Sequence, residues 1–199
     1  RLRAEQGLEP LPLEDVRPFA SAGARGLVHV GFDAKPGDSE YDALREAFLE
    51  FYREHTCVDT RLFAGIPELL TELARRDIPW GVVTNKATRF TDRIIEALRL
   101  APACVVCGDT LNESKPHPAP VSLACGIVNV APAATLMVGD DLRDIQAGKA
   151  AGTQTAAVFY GYGSPELEGA IVRESYSIHH PADLVELIER NHAEYRRKQ

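Results

Sequence analysis

The stretch VGDDLRDIQAG (138–148) decides how this chain is read. An apolar run from Ala133 to Val138 leads into a glycine, and three carboxylates follow within five residues: Asp140, Asp141 and Asp144. Ionised side chains crowded at a strand end repel one another, and a divalent cation is the natural counter-charge. Hard oxygen donors of this kind suit Mg2+. Helix capping by carboxylates is the alternative use of the same residues.

Working outward, short apolar runs recur through the second two-thirds of the chain: WGVVT (80–84), CVVCG (104–108), ATLMVG (134–139) and TAAVFYG (155–161). None alternates, as expected of strands buried on both faces. Helical segments lie around them: GIPELLTELARR, ATRFTDRIIEALRL, PAPVSLACGI, RDIQAGKAAG and PADLVELIERNHAEYRRK. Strand and helix in alternation predict an α/β fold, a Rossmann-like parallel sheet with right-handed crossovers. Residues 1–60 contain no buried strand pattern and read as a small helical region. DSEYDALREAFLEFYREH predicts one long helix with Asp38 or Ser39 at its N-cap, and RPFASAGARGLVHV a shorter one. The expected division is 1–60 and 61–199.

Parallel sheets bind ligands at the carboxyl ends of their strands. The first strand ends in Thr84, Asn85 and Lys86, donors suited to phosphate and expected to be helped by the following helix N-terminus. The second ends in Gly108 and Asp109, with Lys115 shortly after in SKPHP; the third ends in the aspartate cluster. Hydroxyl, amide, ammonium and carboxylates on one sheet edge describe a phosphoryl-transfer site, where positioning and charge neutralisation supply most of the catalysis.

VVTNK, SKPHP and VGDDLRD, in this order on these strand ends, resemble motifs two, three and four of the haloacid dehalogenase superfamily of phosphatases. The leading helices resemble its small α-helical cap. WGVVTNK, GDDLRDIQAG and AGTQTAAVFYGYG are most similar to the phosphoglycolate phosphatase group and the related N-acetylmuramic acid 6-phosphate phosphatases. The resemblance implies hydrolysis of a small phosphorylated metabolite through an aspartyl-phosphate, with phosphoglycolate the first substrate and N-acetylmuramic acid 6-phosphate the alternative. It implies Mg2+ at Asp140, with Asp141 and Asp144 assisting. Thr84, Asn85 and Lys86 would bind the phosphoryl group, Thr84 and Lys115 would act in catalysis, and Arg25 of the cap would meet the distal part of the substrate. A phosphomutase of the same fold and a non-catalytic remnant are further readings.

The superfamily's first motif, an apolar strand ending in Asp-x-Asp-Gly-Thr and supplying the nucleophile, is not in this sequence. VHVGFDAKPGD places Lys35 where the second aspartate belongs, which disfavours Asp33. The first residue is Arg1. The expectation is that the motif precedes it, within about 20 to 30 residues, a strand and most of a helix. RLRAEQGL then falls inside the first cap helix, the central strand is missing from the sheet, and the chain alone is inactive.

The bulk composition narrows the partners. A net charge of −7 argues against nucleic acid or an anionic membrane surface. No run approaches the length of a membrane span. Four cysteines with no secretory pattern give a reducing cytoplasm as the expected compartment, and the protein is expected as a monomer or homodimer. Cys104 and Cys107 read as buried structural cysteines, because residues three apart on a strand face opposite ways. His179 and His180 read as loop residues.

Overall fold

A computed structural model describes residues 1–162, 167 and 175–197. Gly163 and Lys198, which close two of the stretches quoted above, lie outside these. The chain forms two compact units, Arg1–Thr60 and Arg61–Gln199.

The first unit is helical: α1 Leu2–Glu5, α2 Leu13–Val16, a 3-10 helix Arg17–Ala22, α3 Gly23–Phe32 and α4 Tyr41–His55. The helical spacing predicted for α4 is used as expected, since Tyr41, Leu44 and Phe48 pack with Val28, Phe32 and Ala34. The cap differs from expectation. Glu40 holds the N-cap position of α4 without a side-chain bond. Asp38 turns back instead: its Oδ2 accepts the Lys35 N–H at 2.7 Å, and its carbonyl accepts the Tyr41 N–H at 3.2 Å. The carboxylate closes the loop before the helix and is not available to the helix itself. Asp33 ends α3 in the left-handed region, at φ 54°.

The second unit alternates α5 Ile66–Arg75, β1 Gly81–Val83, α6 Thr88–Ala97, β2 Cys104–Val106, α7 Ala119–Ile127, β3 Leu136–Gly139, α8 Leu142–Ala151, β4 Gln154–Val158, β5 Tyr176–Ile178 and α9 Pro181–Arg197. Every strand pairing is parallel. Successive residues of β4 point to opposite faces, as a strand requires. Ala156 enters a cluster with Leu69, Leu73, Ile178 and Leu184, whereas Ala157 meets Ile145 and Leu167. Thus α5 and α9 cover one face of β4 and α8 covers the other, an α/β arrangement with helices on both faces of a parallel sheet. The start of α8 is set by Asp141. Its end is set by Gly152, whose φ of 81° lets its N–H turn back to the carbonyls of Gly148 and Lys149. β5 has no counterpart among the predicted strands; its three residues are too few for a periodic signal, and Tyr176 and Ser177 are exposed.

The strands form two parallel pieces, β1–β2 and β3–β4–β5, with the break falling between the strands that end at Thr84 and Asp140. β1 and β3 nevertheless share a helical layer, because Val83 and Met137 pack in one cluster with Val121, Cys125 and Ala147. Among the described residues no strand pairs with the outer edge of β1 or of β3. β2 and β4 are largely buried, but Val138 of β3 is 37% exposed and Gly81 of β1 is exposed.

No helix among the described residues is long and apolar enough to cross a membrane.

Ile145 is fully buried between α8 and β4. Ile145→Ala is expected to destabilise the second unit by about 2–5 kcal/mol, the usual cost of a cavity at such a site. A shift of the urea midpoint towards lower denaturant measures it; an unchanged midpoint would contradict the packing described.

Candidate active site

The carboxyl end of β1 is continued by one more ladder bond, from the Thr84 N–H to the Val106 carbonyl at 2.9 Å. That bond fixes the Thr84 backbone. Its Oγ1 accepts the Lys86 N–H at 3.1 Å, which leaves the hydroxyl proton directed by the turn and able to donate. The Lys86 carbonyl accepts the Gly108 N–H at 2.9 Å, tying this loop to the one after β2.

The N-terminus of α6 was expected to assist phosphate binding. The structure gives its first N–H another partner: Asp109 Oδ1 accepts both the Thr88 N–H at 2.9 Å and the Thr88 hydroxyl at 2.6 Å. These bonds, the hydroxyl foremost, hold the Asp109 carboxyl below its ordinary range. Asp109 is therefore a helix cap supplied from a different loop, not a simple loop residue.

Lys115 is nearly buried, at 9% exposure, and its ammonium is the hub of the site. Nζ donates to the Val83 carbonyl at 2.5 Å and pairs with Asp144 Oδ1 at 2.7 Å. One contact lies at the end of β1 and the other just past β3, so a single charge ties the two pieces of sheet. A buried ammonium is tolerated only when its protons are met this way.

The three aspartates have separate partners. Asp141 caps α8: its Oδ1 accepts the Arg143 N–H at 2.9 Å, and its two oxygens take the Arg143 guanidinium at 2.8 and 2.7 Å. Asp144 Oδ2 accepts the Asp141 N–H at 3.2 Å, completing a reciprocal capping box. The capping use weighed against metal binding is thus filled by Asp141 and Asp144. Burial pushes the Asp141 carboxyl up, but the Arg143 bonds and the charges of Arg143 and Lys115 outweigh it and set it below its ordinary value. Asp140 stands outside the box; its Oδ2 accepts the Tyr162 N–H, from the loop after β4, at 2.8 Å. Among the described residues no three His, Cys, Asp or Glu side chains are grouped to hold a metal. The residue before the cluster has to be glycine: a Cβ on Gly139 would fall 2.2 Å from Asp144 Oδ2.

The structure therefore brings Thr84, Asn85, Lys86, Lys115 and the aspartates to the carboxyl ends of β1 and β3. Asn85 does so in an unexpected way, with its amide spent on the Lys115 backbone at 2.7 and 2.9 Å. Arg25 is exposed on α3 in the other unit. Cys104 and Cys107 are buried. Burial foremost, then Cys125, pushes the Cys104 thiol up, so it is a poor thiolate. The N–H groups of His179 and His180 both donate to Asp183 Oδ2 at 2.9 Å, which caps α9. Sequence reasoning missed the parts played by Asp109, Arg143 and the Val83 carbonyl. Only Arg143, two residues after an N-cap aspartate, carries a local signal.

The profile of the haloacid dehalogenase-like hydrolases matches residues 1–158. The N-acetylmuramic acid 6-phosphate phosphatase of Pseudomonas aeruginosa is 41% identical over 95% of this chain and 84% of its own length. The phosphoglycolate phosphatase of Xanthomonas campestris pv. campestris is 37% identical over 80% of this chain and 72% of its own. Among solved structures, that of a predicted phosphoglycolate phosphatase from Haemophilus somnus superposes with a TM-score of 0.79 at 26% identity, covering 94% of this chain and 87% of the other.

The Asp141–Arg143 pair gives a sign-defined pH test. A carboxyl set below its ordinary value in the folded state adds stability above the ordinary aspartate pKa, about 4. That stability is lost as pH falls through the lower folded value. Asn also caps helices, so Asp141→Asn removes the charge and keeps the cap. Urea midpoints should separate wild type from variant more at pH 7 than at pH 3; an equal gap at both would contradict the pairing.

Proposed function

The chain belongs to the haloacid dehalogenase-like hydrolase family and is a phosphoric monoester hydrolase, and from that premise we propose that it cleaves a small sugar or hydroxy-acid phosphate, N-acetylmuramic acid 6-phosphate first among the candidates. What carries the phosphate reading is the placement of the Lys115 ammonium on the Val83 carbonyl, the residue before Thr84, and on Asp144, at the seam between β1 and β3. The choice of sugar ester follows the relatives alike over most of this chain, at 41% and 42% identity. Phosphoglycolate is the second reading, favoured by shorter matches at 37% and 38%. The phosphate chemistry is common to both, so the core alone does not choose between them.

In this reading the Thr84 hydroxyl donates to an oxygen of the transferring group. The Lys115 ammonium neutralises charge that develops there, a preorganised contribution of the oxyanion kind. Asp144, paired with Lys115 at 2.7 Å, keeps it aimed. Carboxylate oxygen is the donor chemistry that Mg2+ prefers, and Asp140, placed outside the capping box, is the residue to hold it. When bound, the ion would offset negative charge on the phosphoryl oxygens. Asp141 and Asp144 are ion-paired and would support this indirectly.

The nucleophile is a further proposal. An Asp-x-Asp-Gly-Thr motif is not present in residues 1–199. The unpaired edges of β1 and β3 suit one more parallel strand, and a carboxylate at its carboxyl end would lie beside Lys115 and Asp140. Attack by that carboxylate on phosphorus forms an aspartyl-phosphate and releases the alcohol; water then cleaves the acyl phosphate and frees phosphate.

Two chains are compared: residues 1–199, and a longer one in which such a strand precedes Arg1. The longer chain should hydrolyse N-acetylmuramic acid 6-phosphate in a Mg2+-dependent way, and Thr84→Ala or Lys115→Ala in it should cost about 10²–10³-fold in kcat. Residues 1–199 alone should show background turnover. Equal turnover by both chains would place the nucleophile within this sequence and overturn the proposal; undiminished turnover in excess chelator would overturn the metal's part in it.

A further inference from the structure

Asn85 was expected to offer its side chain to phosphate, but the structure commits that side chain elsewhere. Its Nδ2 donates to the Lys115 carbonyl at 2.7 Å, and its Oδ1 accepts the Lys115 N–H at 2.9 Å. Both amide hydrogen-bonding functions meet both main-chain groups of one residue, 30 positions away, as a neighbouring strand would. On the other side, the Asn85 main chain rests on Gly108, where a Cβ would fall 2.2 Å from the Asn85 carbonyl oxygen. Asn85 is thus gripped by two points of the one loop between β2 and α7, Gly108 at its start and Lys115 further along, and it directly follows Thr84.

We infer that Asn85 is a positioning residue, a two-point clamp that sets the distance between the Thr84 hydroxyl and the Lys115 ammonium. Resting on the phosphatase reading for its catalytic consequence, the clamp acts on substrate only through Lys115. Few side chains other than an amide can do this. Asp keeps the acceptor, loses the donor and sets a second negative oxygen against the Lys115 carbonyl. Ala loses both bonds. Gln adds a methylene, which separates the loops. The glycine at 108 is explained at the same time, since any larger residue pushes Asn85 towards Lys115.

The clamp is read without turnover by the reactivity of the Lys115 amine, which is nearly buried and held by Val83 and Asp144. Reductive methylation of residues 1–199 is followed at each lysine by mass spectrometry, with Lys35 and Lys149 as internal references. Asn85→Ala should speed methylation at Lys115 by about 30-fold, and Asn85→Asp by about fivefold or more, at about fivefold for each hydrogen bond lost. Gly108→Ala, which strains the clamp from outside and leaves Asn85 in place, should also raise it. The reference lysines should not change. Unaltered labelling of Lys115 in all three variants overturns the inference, as does a proportional rise at every lysine, which would mark general loosening. In a form of the protein that turns over the ester, Asn85→Asp should lower kcat with KM held within about twofold, because positioning is felt in the transition state. Thr84→Ala should lower kcat and leave Lys115 labelling at the wild-type rate. Clamp-dependent labelling in a protein that hydrolyses no phosphate ester would retain the clamp and reject the phosphatase reading, so the two fail separately.

Discussion

A lysine ammonium that is almost withdrawn from water has to be met by acceptors on several sides, and the second unit is arranged around that need. Lys115 reaches the last carbonyl of β1 and the carboxylate of Asp144. Asp144 is in turn fixed by the Asp141 N–H, and Asp141 by Arg143. Each member is held by the next, so the pair at the centre is not a loose surface ion pair of negligible worth. The chain of contacts begins at a strand end, crosses a loop and finishes in the first turn of α8. It joins two pieces of sheet between which no strand pairing occurs among the described residues.

Crowding three aspartates after β3 looked like a problem of repulsion. The structure resolves it by division of labour: one carboxylate caps and pairs with arginine, one pairs with lysine, one accepts a backbone N–H. The cost of bringing them together is offset locally, by groups of the protein itself. A site built this way is preorganised, which is the property that lets electrostatic catalysis act without rearrangement at the moment of reaction.

Much of this was legible in the sequence because the signals are local. Val82 and Val83, Val105 and Val106, Met137 and Val138, and Ala156 to Val158 announce strands by their unbroken apolar character, and the residues just beyond them announce the site. Tyr41, Leu44 and Phe48 announce a helix face. What stayed hidden depends on partners far apart in the chain. Nothing near Asp109 indicates that it caps a helix begun 21 residues earlier, and nothing near Asn85 points to Lys115. The split of the sheet was half legible: the lack of a first motif implied an unpaired seam, while the exposure of Val138 is seen only in the structure.

The helical unit carries a different consequence. In its 60 residues only Val28, Ala34 and Tyr41 form a fully buried apolar cluster, flanked by Phe32, Leu44 and Phe48. Domains of this size sit near the lower limit of independent stability. Local opening free energies scale with such packing, so its amides should exchange with solvent well before those of β4, whose residues Ala156 and Ala157 are wholly enclosed.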